Sequence, residues 1–109
     1  MPVREIAPGA LQKQLTGPGQ RPVLLDVRTP EEHALVAMPN SLLVPLQEFG
    51  ERLPELDALR GKAVVAYCHT GVRSFHAAAF LASRGVEASS LAGGIDRYSV
   101  EIDPSLPRY

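Results

Sequence analysis

Residues 67–74 carry the side chains best suited to chemistry. Cys68 is the only cysteine in a chain of 109 residues. It therefore forms no disulfide within the chain, and a single cysteine cannot supply the several thiolate ligands of a thiolate-based zinc or iron–sulfur site. A functional role for Cys68 therefore depends on a single reactive thiol, which we expect to be ionised and exposed. Arg73 follows five residues later with a permanent positive charge, and His69 is directly adjacent to the cysteine. A cation close to the sulfur favours the thiolate, which is the nucleophilic form of cysteine.

The backbone around Cys68 is predicted to stabilise negative charge. An apolar run at 63–67 predicts a buried strand, and residues 74–84 predict a helix. Peptide N–H groups of the loop between them and of the helix start converge to form an anion-binding concavity. Gly71 lets this loop curl tightly, and Ser74 is either the N-cap or one more donor. The residues expected to surround a bound anion are His69, Thr70, Gly71, Val72, Arg73 and Ser74.

Strand and helix patterns alternate along the whole chain. Thr29, Pro30 and Glu32 have the spacing of a helix start with a capping box. The alternation predicts an α/β fold, with a mainly parallel sheet covered by helices on both faces. Ligands bind such sheets outside the carboxyl ends of the strands, which is where Cys68 lies. The predicted strands are residues 3–6, 23–27, 42–44, 63–67 and 86–91, and the predicted helices are 8–15, a short one from 30, 46–52, 54–59, 74–84 and 94–100.

Composition limits the classes of protein to consider. The 109 residues suit one domain, residues 1–109, in which 102–109 form an extended, proline-broken tail. The net charge is −1, without the excess of basic residues that general nucleic-acid binders carry. No apolar run is long enough to cross a bilayer, and the first residues lack the apolar core of a signal peptide. We therefore expect a cytoplasmic domain without nucleic-acid or membrane partners.

Three segments together resemble the rhodanese-like domain family: residues 24–32, the loop at 68–74, and residues 91–95 with their glycine pair. The resemblance implies a five-stranded, mainly parallel sheet and a Cys68 nucleophile that carries sulfur as a persulfide. The sulfur would come from a donor such as thiosulfate and pass to a thiophilic acceptor, without a metal or organic cofactor. Asp26 and Arg28 would lie near the loop and serve mainly in hydrogen bonding and ion pairing.

A subset of that family is more similar still. Residues 37–46 and the tail 102–109 resemble rhodanese domains fused to ubiquitin-activating-like adenylyltransferases. This likeness implies a sulfur-carrier protein, an adenylyltransferase or a cysteine desulfurase as partner. The sequence departs from the common family pattern at Val36-Ala37, where many members have Gly-His, and at Tyr98, where many have tryptophan. His69 replaces the arginine of several thiosulfate-specific members, which leaves the sulfur donor open.

Two other interpretations of Cys68 remain. Cysteine-dependent phosphatases and arsenate reductases use a similar loop, but theirs has one residue more than the four between Cys68 and Arg73. A non-catalytic interaction module is the second alternative, and an inert thiol would favour it. The other polar candidates are assigned structural roles: His33 and His76 as helix residues without a ligand function, and Glu31 and Glu32 as capping residues.

Overall fold

A computed structural model describes residues 3–109 of the chain. Its strands and helices alternate in the predicted order. The strands are β1 (Arg4–Ile6), β2 (Val23–Asp26), β3 (Leu42–Leu43), β4 (Ala63–Tyr67) and β5 (Glu87–Leu91). The helices are α1 (Pro8–Thr16), α2 (Pro30–Leu35), a 3₁₀ helix (Leu46–Glu51), α3 (Leu53–Asp57), α4 (Val72–Ser83) and α5 (Gly94–Glu101).

The five strands form one sheet in the order β1-β5-β4-β2-β3. Every pairing is parallel, so the sheet is entirely rather than mainly parallel. Each of the first four strands is followed by a segment that crosses back over the sheet before the next strand begins, as parallel neighbours require. In the central pair, Asp26 of β2 lies opposite Tyr67 of β4, so the carboxyl ends of these strands coincide. Residues that follow the two strands are therefore neighbours in space.

Alternate residues of the strands supply two cores, one on each face of the sheet. Leu25 and Ala66 point to the face covered by α3 and α4, whereas Leu24 and Tyr67 point to the face covered by α1 and α5. Cys68 continues the alternation of β4 and packs on the α4 side. This arrangement confirms the predicted α/β fold with helices on both faces, and it fixes the side of the sheet on which the thiol lies.

Several element boundaries differ from the prediction. Helix α4 begins at Val72 rather than Ser74, because Gly71 adopts φ 109° and acts as the N-cap. Ser74 is therefore the third helical residue and not the N-cap. The helix predicted from Pro54 starts one residue earlier, at Leu53, because Pro54 occupies the first turn of α3, where a missing N–H costs nothing. Thr29 and Glu32 form the predicted capping box at the start of α2.

The tail after α5 folds back instead of extending away. The Leu106 N–H donates to the Asp103 carbonyl at 3.1 Å and closes a turn. The Ser99 hydroxyl then donates to the Leu106 carbonyl at 2.6 Å, and Arg108 pairs with Asp96 at 2.8 Å. These contacts hold the tail along α5 and bring Tyr109 to the carboxyl end of the sheet. Within residues 3–109, no helix combines the length and the apolar character needed to cross a membrane.

Candidate functional site

The sulfur of Cys68 accepts hydrogen bonds from two peptide N–H groups. Cys68 directly follows β4, and its Sγ accepts the N–H of Gly71 at 3.1 Å and the N–H of Ser74 at 3.3 Å. The hydroxyl oxygen of Ser74 is 3.4 Å from the same sulfur. Two peptide dipoles therefore point their positive ends at one atom, the arrangement that stabilises negative charge. The loop and the helix start supply these donors as predicted from the spacing.

Cys68 is buried rather than exposed, contrary to expectation. Only 1% of the residue is accessible, because its side chain packs beneath α4 with the core of that face. The side chains of Thr70 and Val72 are exposed to solvent. The sulfur is therefore covered, whereas parts of the loop around it lie at the surface.

The carbonyl groups of the loop face the opposite helix. The Cys68 carbonyl accepts the N–H of Ile95 at 2.9 Å, and the His69 carbonyl accepts the N–H of Asp96 at 3.1 Å. In a trans peptide the N–H points opposite to the C=O, so the N–H groups of His69 and Thr70 point away from α5. The Cys68 and His69 carbonyls therefore face α5, and the N–H groups of His69 and Thr70 face away from it.

The glycine pair that precedes α5 makes this contact possible. Gly93 and Gly94 adopt φ values of 75° and 65°, in the left-handed region that side chains disfavour. A Cβ on Gly94 would lie 2.3 Å from the His69 carbonyl oxygen, which is closer than real Cβ contacts come. Only glycine lets the start of α5 approach the loop backbone so closely.

The Arg73 side chain forms an ion pair with a carboxylate. Its two terminal nitrogens donate to the two carboxylate oxygens of Glu32 at 2.6 and 2.9 Å. The hydrogen bonds from Arg73 hold the pKa of the Glu32 carboxyl well below its usual value, against the opposing effect of burial. The same bonds raise the pKa of Arg73. Glu32 therefore caps α2 and also neutralises part of the positive field that was expected at Cys68.

Asp26 and Arg28 form a fully buried ion pair behind the loop. Arg28 Nε donates to Asp26 Oδ1 at 2.8 Å, and its Nη2 donates to Oδ2 at 2.7 Å. Arg28 also donates to the Val36 carbonyl at 2.6 Å. Burial alone would raise the pKa of Asp26, but hydrogen bonds from Arg28 and His33 outweigh it and lower this pKa. The pair joins the end of β2 to the chain after α2, next to the end of β4.

Two residues near the site were not predicted. The Tyr109 hydroxyl donates to Glu32 Oε2 at 2.6 Å and lies 2.9 Å from Arg28 Nη1, which donates to it. Its ring stacks on His69 with centroids 4.0 Å apart. His33, assigned to the helix surface, places Nδ1 2.8 Å from Asp26 Oδ2. The contacts of Tyr109 join residues 77 and 81 positions apart and leave no local pattern, although the tail's resemblance to one subset of the family pointed to its last residues.

We expect Asp26→Asn to destabilise the domain by about 3 kcal/mol at pH 7, because it leaves the Arg28 charge buried without a counter-charge. Urea unfolding measures the difference. The pKa of Asp26 is lowered by folding, so its stabilisation is complete above the unfolded value near 3.8 and is lost as the pH falls through the folded value. The difference in free energy of unfolding between the wild type and Asp26→Asn should therefore narrow below about pH 4.

Glu51→Gln is the matched control for Asp26→Asn, because it removes one carboxylate from an exposed position. We expect a change of less than about 0.5 kcal/mol. Equal effects of the two substitutions at pH 7 would show that the buried pair contributes no more than a surface charge.

Most of the chain matches a known family of domains. A family model described as "Rhodanese-like domain" matches residues 7–101. The chain is 32% identical over 113 aligned residues to the "Rhodanese-like/PpiC domain-containing protein 12, chloroplastic" of Arabidopsis thaliana, covering 99% of this chain and 38% of the relative. It is 31% identical over 103 aligned residues to "Adenylyltransferase and sulfurtransferase MOCS3-2" of Zea mays, covering 89% of this chain and 21% of the relative.

The fold has close counterparts among solved structures. The crystal structure of a rhodanese-related protein from Thermoplasma volcanium superposes with a TM-score of 0.81 at 29% identity, covering 91% of this chain and 93% of that one. The chain thus corresponds to nearly the whole of this structure. By contrast, it spans 38% of the Arabidopsis relative and 21% of the Zea mays relative, both of which are considerably longer.

Proposed function

The chain belongs to the rhodanese-like domain family, and we propose that it is a sulfurtransferase in which Cys68 carries the transferred sulfur atom as a persulfide. The observation that carries this proposal is the pair of N–H groups, from Gly71 and Ser74, that Cys68 Sγ accepts at 3.1 and 3.3 Å. A sulfur held in this way is suited to bear negative charge, both as the attacking thiolate and as the thiolate that leaves at the end of the cycle.

The reaction has two displacement steps at sulfur. In the first, the Cys68 thiolate attacks the outer sulfur of a donor such as thiosulfate. A new S–S bond forms, the S–S bond of the donor breaks, and sulfite departs with the electron pair. In the second, a nucleophilic acceptor attacks the outer sulfur of the persulfide. The S–S bond between Cys68 Sγ and that outer sulfur breaks, and Sγ leaves as the regenerated thiolate. The two steps balance without an added oxidant or reductant.

The loop stabilises the charge that each step moves. The outer sulfur of the persulfide is negatively charged, and the N–H groups of Gly71 and Ser74 already donate to Cys68 Sγ, the sulfur that bears it. Arg73 adds a positive charge, reduced by its pairing with Glu32. A site already lined with donors needs little reorganisation when the negative charge arrives.

The chemistry of the persulfide limits which compounds can serve as sulfur donor and acceptor. Any compound with a sulfur atom bonded to a good leaving group can load Cys68, so thiosulfate and the persulfide of a cysteine desulfurase are both candidates. A relative from Zea mays is named for adenylyltransferase as well as sulfurtransferase. We therefore place a sulfur-carrier protein or an adenylyltransferase among the partners that would supply or activate the acceptor.

Intact-mass measurement after incubation with thiosulfate tests the proposal. We expect a mass gain of one sulfur atom, which cyanide or a thiol then removes. Mercaptopyruvate and a cysteine desulfurase loaded with cysteine serve as alternative donors. The proposal fails if no donor adds sulfur to a protein whose Cys68 is shown to be reactive by alkylation. Hydrolysis of an aryl phosphate that depends on Cys68 would instead favour a phosphatase.

A further inference from the structure

A buried pair of hydroxyl groups connects Cys68 to the neighbouring strand. Ser74, in the first turn of α4, and Ser90, on β5, are both completely buried. Their Oγ atoms are 2.7 Å apart, and Ser74 Oγ is 3.4 Å from Cys68 Sγ. The two hydroxyl groups and the sulfur form a line of hydrogen-bonding atoms, from Ser90 on β5 through Ser74 to Cys68. Ser90 lies outside the loop and was not among the predicted site residues.

The hydrogens of this line can be arranged so that each hydroxyl donates toward the sulfur. Ser90 then donates to Ser74 over 2.7 Å, and Ser74 donates to Cys68 Sγ over 3.4 Å. A thiolate accepts a hydrogen bond more strongly than a thiol does, because charge-assisted hydrogen bonds are the stronger ones. This arrangement therefore favours the ionised sulfur.

Ser90 also determines where the Ser74 hydroxyl points. A serine inside a helix readily donates to the carbonyl three or four residues before it, which here would turn the hydroxyl away from the sulfur. When Ser90 is the donor in its 2.7 Å contact with Ser74, the Ser74 oxygen is occupied from the β5 side and the Ser74 hydrogen is free to point at Cys68.

We propose that Ser90 is a positioning residue that holds the Ser74 hydroxyl on Cys68 and thereby stabilises the thiolate. The inference rests on the proposed function only in assigning that thiolate to sulfur transfer. It predicts that the reactivity of Cys68 depends on a hydroxyl that never touches the sulfur. Ser90 would be needed for attack on the donor and for departure of the thiolate from the persulfide.

The test compares Ser90→Ala with Ser89→Ala. Ser89 precedes Ser90 on β5 and, by strand alternation, points to the opposite face of the sheet, so it controls for the loss of one hydroxyl from this strand. Two readouts follow the thiolate directly: the rate of Cys68 alkylation by iodoacetamide and the ultraviolet absorbance of the thiolate, both measured across a pH range. We expect Ser90→Ala to slow alkylation about tenfold at neutral pH, because charge-assisted hydrogen bonds are among the stronger ones. Ser89→Ala should react at the wild-type rate.

Two further variants separate positioning from folding. Ser90→Thr keeps a hydroxyl and should restore most of the alkylation rate. Ser74→Ala should slow alkylation at least as much as Ser90→Ala, and the double variant should be no slower than Ser74→Ala alone, because Ser90 acts only through Ser74. The titratable and charged groups around the loop remain in all these variants: His69 in the loop, Arg73 on α4, Glu32 on α2, Asp96 on α5, and Tyr109 in the tail.

The outcomes distinguish this proposal from the proposed function. Slower alkylation of Ser90→Ala supports the positioning role even if thiosulfate never adds sulfur to the wild type, in which case only the sulfurtransferase proposal fails. If the wild type does take up sulfur and Ser90→Ala alkylates at the wild-type rate, the positioning role is wrong and sulfur transfer stands. Additive effects of Ser74→Ala and Ser90→Ala would also overturn the inference, because they would show independent actions.

Discussion

Cys68→Ala is expected to reduce the formation of thiocyanate from thiosulfate and cyanide to the rate without protein, a loss of at least about 10³-fold. The reason is that both displacement steps form or break a bond to Cys68 Sγ. No other residue can take over, since the chain has one cysteine. Thiocyanate is measured by its coloured iron complex, with the same protein concentration for wild type and variant.

Cys68→Ser supplies the matched control. It retains the side-chain size and a polar atom beside the two N–H groups, yet an alcohol at neutral pH is a weak nucleophile and forms no persulfide. We expect the same loss of activity with a stability change of about 1 kcal/mol in either variant, since only one small buried atom differs. Residual thiocyanate formation by either folded variant would show that the sulfur is carried elsewhere.

Gly94→Ala is expected to damage both stability and activity. The new Cβ would lie 2.3 Å from the His69 carbonyl oxygen and 2.6 Å from the Cys68 carbonyl oxygen, on a residue with φ 65°. The start of α5 must move away from the loop, which breaks the hydrogen bonds from Ile95 and Asp96. We expect a loss of about 3 kcal/mol in the free energy of unfolding. Sulfur transfer by the folded fraction should fall at least about 100-fold, because the loop N–H groups would be displaced from the positions in which they stabilise the negative charge on sulfur.

Gly9→Ala controls for the loss of a glycine. Gly9 is helical, its Cβ would meet nothing within 4 Å, and its φ is not positive. This substitution should leave sulfur transfer unchanged and stabilise the domain by about 0.5–1 kcal/mol, because alanine is the better helix former. Wild-type activity in Gly94→Ala would mean that the contact between α5 and the loop does not matter for the chemistry.

The architecture was predictable because its signals are local. The runs at 23–27 and 63–67 gave the central strands to within one residue, and the capping box at Thr29 and Glu32 gave the start of α2. The glycine pair at 93–94 indicated the last helix. The start of α4 differs from the prediction because of one backbone conformation. Gly71 adopts a positive φ, so the helix begins two residues before Ser74.

The site was only partly predictable, since its remaining partners are far apart in sequence. Arg73 pairs with Glu32 across 41 residues, and Tyr109 reaches Glu32 across 77. The burial of Cys68 also depends on α4, which packs over a residue that directly follows a strand. Ser90 gave no signal because one serine in a strand is ordinary. Its position relative to Ser74 depends on the register between β4 and β5.

The hydrogen bonds from α5 to the Cys68 and His69 carbonyls have a consequence for the newly made protein. The backbone of the loop is held by residues 95 and 96, which are synthesised more than 25 residues after the cysteine. Until residues 95 and 96 have left the ribosome, the loop around Cys68 therefore lacks two of the hydrogen bonds that fix its backbone.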